Sequence, residues 1–405
     1  MACKIVNLRV NNPVKVITFS LSWLILICLC GTAMGQSKND SLEKNLLTFF
    51  TKNKLPGLHV TLVNANSILY QHSFGYADSK EKKPFDSNTI ENIGSVSKTF
   101  IGCAIMKAIE QGYFTLETDI NTILPFKAVN PFQPEAVISV KDLVTHTSGI
   151  TDNQEVYKNC YQFQKKGQYS GLLLALMRTK GYKEKVTDTS LRQFLYNYLS
   201  VDGKWYSKQN FSENLPGQQY NYSNIASALS AYLIEVKSGM SFAAYTEKYI
   251  FSPLHMAQSG WFIDSNRQEQ YARLYYNASW TFPLYSLATY PDGGLRTSAA
   301  DLTNYLMALI KGYAGDSNIL NSKSYQAMFT PLLSGEVKDL DLKKENRGTL
   351  WNIYKNVIDK DGDDPGISTY IFFNKKTGIG GFFLCNKLIE DNDDLVSLLH
   401  QYAAH

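Results

Sequence analysis

Alternating apolar and polar positions mark two strands early in the chain, Leu58–Val63 and Ser67–Phe74, with a turn at Asn64-Ala65-Asn66 between them. A short helical pattern at Leu42–Phe50 precedes them. From Ser95 the period lengthens: Phe100, Ile101, Ala104, Ile105 and Ala108 recur at helical spacing and predict a buried helix. Longer helical patterns follow at Ile225–Ser238 and Ala299–Gly312, between loops rich in Gly, Asn, Ser and Tyr. Strand signals return at Leu350–Ile358, Ser368–Phe373 and Ile379–Cys385, the last two joined by a hairpin turn at Asn374–Gly378. An amphipathic stretch at Leu395–Tyr402 predicts a closing helix. Strands at both ends with helices between them predict an α+β fold. In it, 36–90 and 290–405 build an antiparallel sheet flanked by helices, and 91–289 a mainly helical lobe.

A chain of 405 residues suits such a two-lobed body, and 44% hydrophobic residues allow a sizeable core. The formal net charge is +4, and Lys4, Arg9 and Lys15 supply most of it within the first 35 residues, which hold no acid. A nearly neutral remainder argues against a nucleic-acid partner. Residues 1–35 themselves read as an export signal: a basic start, an apolar run from Val16 to Cys30, and small residues at Ala33-Met34-Gly35. This predicts a secreted or periplasmic protein with no stable membrane span once the signal is cleaved. Retention of the same run as an anchor is the alternative. Outside the leader, Cys103, Cys160 and Cys385 are too few and too scattered for a disulfide framework, and the six histidines show no metal-ligand spacing. Neither metal nor cofactor is expected.

The chemistry centres on a serine. A hydroxyl is a poor nucleophile until a neighbouring base takes its proton, and Ser-x-x-Lys on a helix places an amine on the same face. The pattern occurs at Ser41/Lys44, Ser79/Lys82 and Ser95/Lys98. The first two sit in charged runs where the lysine stays hydrated. Ser95 follows Gly94 and opens the apolar helix, so Ser95 and Lys98 are the credible pair.

Gly94-Ser95-Val96-Ser97-Lys98-Thr99-Phe100 resembles the nucleophile motif of the class C β-lactamase, DD-peptidase and esterase superfamily. Leu143-Val144-Thr145-His146-Thr147-Ser148-Gly149 is similar to its structural LLTHTSG signature. Pro216-Gly217 followed by Tyr222-Ser223-Asn224 resembles its Tyr-x-Asn element. Gly293-Gly294-Leu295 with Thr297 and Asp301 is similar to a further landmark. The resemblance runs from about Pro56 to about Asn386 and implies a β-lactamase/transpeptidase-like fold, with the active site where the two lobes meet. It implies that Tyr222 shuttles the proton between Ser95 and the leaving group, and that Asn224 hydrogen-bonds the substrate carbonyl or amide. His146 is then a structural residue of the helical lobe.

The family's third element is Lys-Thr-Gly or His-x-Gly on the strand lining the cleft. Lys376-Thr377-Gly378 has the letters, but only one strand follows it. Lys360-Asp361-Gly362 has two strands behind it, so Lys360 is assigned as the cation of the cleft, with Gly362 allowing close substrate approach. Backbone N–H groups of Ser95 and Asp363 would form the oxyanion hole. Tyr275, Tyr276, Trp280 and Tyr285 are candidates for the pocket wall. The long segment Ile150–Leu215, with Lys165-Lys166, is a candidate cap over the cleft.

The function these residues predict is a serine hydrolase acting through an acyl-enzyme on a small ester, amide or D-amino-acid peptide. Asp361, Asp363 and Asp364 around Lys360 argue against efficient turnover of carboxylate-bearing β-lactams and for a neutral or amine-bearing substrate. The rival reading is a catalytically silent, penicillin-binding-like sensor of cell-wall fragments.

Overall fold

The computed structural model describes residues 38–164, 169–179, 182–184 and 190–404. Residues 1–35, read above as an export signal, Lys165-Lys166 and His405 lie outside them. Residues 38–46 are helical and form a unit of their own, and Leu47–His405 form the compact unit that carries everything below.

The centre of that unit is an eight-stranded sheet. Its strands are β1 (Gly57–Val63), β2 (Ile68–Asp78), β3 (Lys83–Pro84), β4 (Glu345–Arg347), β5 (Asn352–Tyr354), β6 (Val357–Asp364), β7 (Ile367–Asn374) and β8 (Gly380–Cys385). They lie in the order β4-β5-β6-β7-β8-β1-β2-β3, with every ladder antiparallel. The two ends of the chain meet at its middle, where β1 pairs with β8 in the register Leu58↔Cys385 to Val63↔Gly380. β1, β7 and β8 are buried along their whole length, including polar residues His59 and Thr61 in β1 and Ser368 and Thr369 in β7. Helix α3 (Ala299–Tyr313) packs Tyr313 against Phe373 on one face, and α4 (Asp393–Ala403) packs His400 against Tyr370 and Phe372 on the other.

Beside the sheet stand α1 (Ser97–Glu110) and α2 (Asn224–Ser238) in contact with each other. The Phe100 ring of α1 stacks on Tyr305 of α3 with 3.9 Å between centroids. The α2 ends are set by local chemistry: Ser223 caps the first turn by accepting from the Ala226 N–H, and Gly239 closes the last turn at φ +70°.

One expected element is redrawn. The strand read over Leu350–Ile358 is two strands, β5 and β6, with a turn at Lys355-Asn356. β6 continues to Asp364 through a run of acids that hydrophobic periodicity does not recognise as strand. Its charged side chains have destinations: Tyr370 donates to Asp359 at 2.8 Å, and Lys360 meets Asp361 at 3.0 Å.

β6 is also the strand that meets the turn preceding α1. A Cβ on Gly362 would lie 2.5 Å from both Ile93 O and Thr369 Oγ1, and 2.8 Å from Val96 N. Nothing larger than hydrogen fits there. Gly362→Ala is therefore expected to cost about 1–3 kcal/mol of stability by overpacking. Denaturant unfolding checks this, and a variant as stable as wild type would contradict the close approach.

Candidate active site

The turn Gly94–Val96 leads into α1 and holds Ser95 at the mouth of a cleft of about 440 Å³. Gly94 takes φ +49°, a conformation glycine adopts without strain, and its N–H donates to Asn92 Oδ1 at 2.6 Å. The turn abuts β6: a Cβ on Gly94 would lie 3.2 Å from Asp363 N. The backbone of Ser95 and the N–H of Asp363 thus border the same space.

Lys98, the second residue of α1, is completely buried, with its amine 3.0 Å from Ser95 Oγ. The amine also donates to Asn224 Oδ1 at 2.7 Å and to the Asp292 carbonyl at 2.5 Å. Of these three partners only the Ser95 hydroxyl carries a proton to give. When Lys98 is neutral its lone pair therefore faces the serine.

Tyr222 reaches the same oxygen from the other side, donating to Ser95 Oγ at 2.7 Å. Two amines, Lys98 Nζ and Lys360 Nζ, each lie 5.1 Å from its ring centre. His146 packs on that ring at 4.5 Å, and its Nδ1 accepts from the Ser223 N–H at 3.2 Å. Burial, with the Lys98 and Lys360 charges, pushes His146 well below the ordinary histidine range, so it is neutral and supports the tyrosine loop.

Lys360 is 4% exposed. Burial works against its charge, but the Tyr222 oxygen and the Asp361 carboxylate outweigh it and hold the ammonium above the ordinary lysine range. Lys376, by contrast, is exposed in the β7–β8 turn. Gly362 does not border the cleft: it faces Ile93 and Val96, so it admits the serine turn rather than the substrate.

Two residues that sequence reasoning missed hold the arrangement together. Asp152 accepts from the Asn224 N–H and Nδ2 at 2.9 Å each, from Ser223 Oγ at 2.9 Å and from the Ile225 N–H at 3.1 Å. It closes the start of α2 and turns the Asn224 oxygen toward Lys98. Among the described residues that leaves one Asn224 amide proton without a partner. The only signal was its place just after the Leu143–Gly149 motif. Asp292, just before Gly293-Gly294-Leu295, is fully buried and accepts from Tyr157 Oη at 3.1 Å. Burial pushes its carboxyl up to about 7 even with the Lys98 charge nearby.

The aromatic wall also differs from expectation. Tyr275 and Tyr276 border a separate cavity of about 890 Å³, Trp280 packs on Tyr276, and Tyr285 is buried. The cleft is walled instead by Tyr157 and Tyr161, from the long inserted segment, and by Tyr220 and Tyr222. Tyr161 comes into place because its strand, Tyr161–Phe163, pairs with Tyr285–Leu287. Among the described residues no cluster of three His, Cys, Asp or Glu is placed to hold a metal, and no helix is long and apolar enough to cross a membrane.

The family model described as Beta-lactamase matches residues 40–403. The chain belongs to the β-lactamase family. Among curated β-lactamase relatives, "Penicillin-binding protein 4*" of Bacillus subtilis (strain 168) is 24% identical over 359 residues, 83% of this chain and 69% of that protein. "Protein flp" of Staphylococcus aureus (strain N315) is 21% identical over 88% of this chain and 64% of its own length. The chain thus spans about two thirds of these relatives. An octameric penicillin-binding protein homologue from Pyrococcus abyssi superposes with a TM-score of 0.69 at 23% identity, over 86% of this chain and 73% of that one. A β-lactamase/D-alanine carboxypeptidase from Pseudomonas syringae also gives 0.69, at 17% identity, over 91% and 99%. At such identities the structures establish the fold, the antiparallel sheet with helices expected from the sequence. Membership of the β-lactamase family supports serine-hydrolase chemistry in general terms.

Within this β-lactamase-family fold the Asp292 carboxyl has a measurable signature. Its pKa is raised in the folded protein, from 3.8 to about 7, so the neutral form contributes stability below about pH 4 that is lost as pH rises through about 7. Asp292→Asn should therefore stabilise progressively between about pH 4 and 7, by a ceiling of about 4 kcal/mol, and level off above. Unfolding curves at both ends of that range decide it, and an increment independent of pH would contradict the assignment.

Proposed function

We propose that the protein is a serine hydrolase that forms an acyl-enzyme on an ester, amide or D-amino-acid peptide. The observation that carries this reading is the pair of hydrogen bonds to Ser95 Oγ, from Lys98 Nζ at 3.0 Å and Tyr222 Oη at 2.7 Å. In the proposed sequence Ser95 attacks the substrate carbonyl while its proton passes to the Lys98 lone pair. The N–H groups of Ser95 and Asp363 stabilise the oxyanion. Collapse breaks the bond to the leaving group, which takes the Tyr222 proton. The phenolate so formed recovers a proton from Lys98. Water then attacks the acyl carbonyl, giving its proton to the Tyr222–Lys98 pair, which returns it to Ser95 Oγ as the acid leaves. Asn224 holds the Lys98 amine and offers its remaining amide proton to the substrate.

The charge balance supports the neutral or amine-bearing substrate. Lys360 already has Asp361 at 3.0 Å, and a substrate carboxylate arriving there meets the exposed Asp361 and Asp363 as well. Residues 1–35 support a secreted or periplasmic location through their export-signal pattern, and the mass of the mature N-terminus tests it.

Intact-mass analysis after a fluorophosphonate probe tests the mechanism. Wild type is expected to take up one equivalent, Ser95→Ala none, and Lys98→Ala to react about 10²–10⁴-fold more slowly. An unlabelled wild type would favour the sensor reading, and an adduct that survives Ser95→Ala would mean another serine is the nucleophile. Nitrocefin turnover should fall far short of the diffusional ceiling of about 10⁸–10⁹ M⁻¹s⁻¹, and an enzyme near that ceiling would refute the substrate preference.

A further inference from the structure

The catalytic cleft has a second cavity, of about 890 Å³, at one end, and Asp363 and Asp364 border both. The walls of the two differ in kind. Charged and phenolic groups dominate the cleft, whereas Leu173 and Met177, Tyr276 and Phe282, and Leu388 and Ile389 face the second cavity. Leu173 and Met177 come from the helix Gly171–Thr179, part of the long segment inserted after the Leu143–Gly149 motif. Toward solvent, Leu176 is 40% exposed, Leu388 45% and Tyr276 51%, so the apolar lining runs out to the surface. Apolar side chains around a concave space favour an apolar ligand, which leaves water when it enters.

β6 gives the cleft a direction. It borders the cleft from Lys360 to Asp364, about 13 Å at the usual strand rise. Tyr222 stands near the Lys360 end, its ring centre 5.1 Å from that amine. The serine turn meets the strand farther along, at Gly362 and Asp363. A leaving group that takes the Tyr222 proton therefore departs toward Lys360, with Tyr220 and Arg347 beyond. The acyl part of the substrate, bonded to Ser95, extends the other way, past Asp363 toward Pro365 and Gly366, which border the second cavity. Pro365 lies two residues beyond Asp363, about 7 Å along the strand, a reach that an acetyl group lacks and a medium-length chain has.

We infer that the second cavity is an acyl pocket that takes the unbranched apolar chain of a medium-length fatty acyl ester. The inference rests on the hydrolase reading for its direction, and on the lining of the cavity for its chemistry. The inserted helix then sets the chain-length preference, with Leu173 and Met177 as its buried wall. Such a substrate is neutral, in keeping with the charge balance around Lys360.

The test uses p-nitrophenyl acetate, butyrate and octanoate on the full chain, since a common leaving group holds the chemistry constant. kcat/KM is expected to rise at least about tenfold from acetate to octanoate. Leu176→Asp combined with Leu388→Asp should remove about tenfold of that gain and leave acetate turnover unchanged, both positions being exposed enough to accept a charge. Ethyl octanoate should be preferred to its isomer octyl acetate by about tenfold, because only the former carries its chain on the acyl side. A flat or falling series, a gain untouched by the double variant, or equal turnover of the two isomers overturns the pocket. Calorimetry with octanamide and acetamide on Ser95→Ala separates binding from chemistry. If no ester is turned over, yet octanamide binds and the double variant weakens it about tenfold, the hydrolase reading fails and the pocket stands. Octanamide that binds no better than acetamide removes the pocket whatever the enzyme does with esters.

Discussion

Taking a lysine amine out of water costs several kcal/mol unless its donors all find acceptors, and Lys98 has no exposed surface. Its three acceptors come from three places far apart in the chain: the serine turn, the first residue of α2, and the carbonyl before Gly293. Each must be delivered to within hydrogen-bond distance by its own support. Asp152 fixes Asn224, β6 closes against the serine turn through Gly362, and the landmark after Gly293 ties down its end with Asp301, which accepts from Ser259 Oγ at 2.8 Å and the Gln258 N–H at 2.7 Å. The sheet and the helices can thus be read as a frame that satisfies one buried amine.

The same logic explains why β6 is so polar for a strand in the main sheet. It pairs with β7 along its whole length but with β5 only at Asp359 and Ile358, so from Lys360 onward its other edge is covered by the serine turn and the cleft. A charged edge covered in this way resists pairing with another chain. Stability of the sheet comes from the strands beyond it, β7, β8 and β1, which are buried on both faces.

How much of this could be read in the sequence follows from what each feature depends on. The α1, α2 and α3 helices and strands β7 and β8 are written in apolar periodicity, and their limits were legible to within a few residues. Ser95, Lys98 and Tyr222 were legible because spacing on a helix and the order of motifs identify them, and the structure gathers them around one oxygen. Lys360 over Lys376 followed from counting strands. Asp152 and Asp292 were not legible, because a carboxylate that accepts backbone or hydroxyl protons in a loop looks like any surface acid until its partners are known. The aromatic wall was misplaced for a related reason: a run of tyrosines says that aromatic surface is buried, not against what.

The pairing of β1 with β8 has a consequence for how the protein is made. Leu58 and Cys385 must find each other across nearly the whole chain before the middle of the sheet exists. Contacts of such long range slow folding, since the loop they close is large and is rewarded only at the end. On a ribosome, the first hairpin waits with its apolar edge uncovered until the last strands emerge. The sheet can become whole only after Cys385 has left the ribosome, and a chain truncated before β8 would lack the strand on which both of its halves converge.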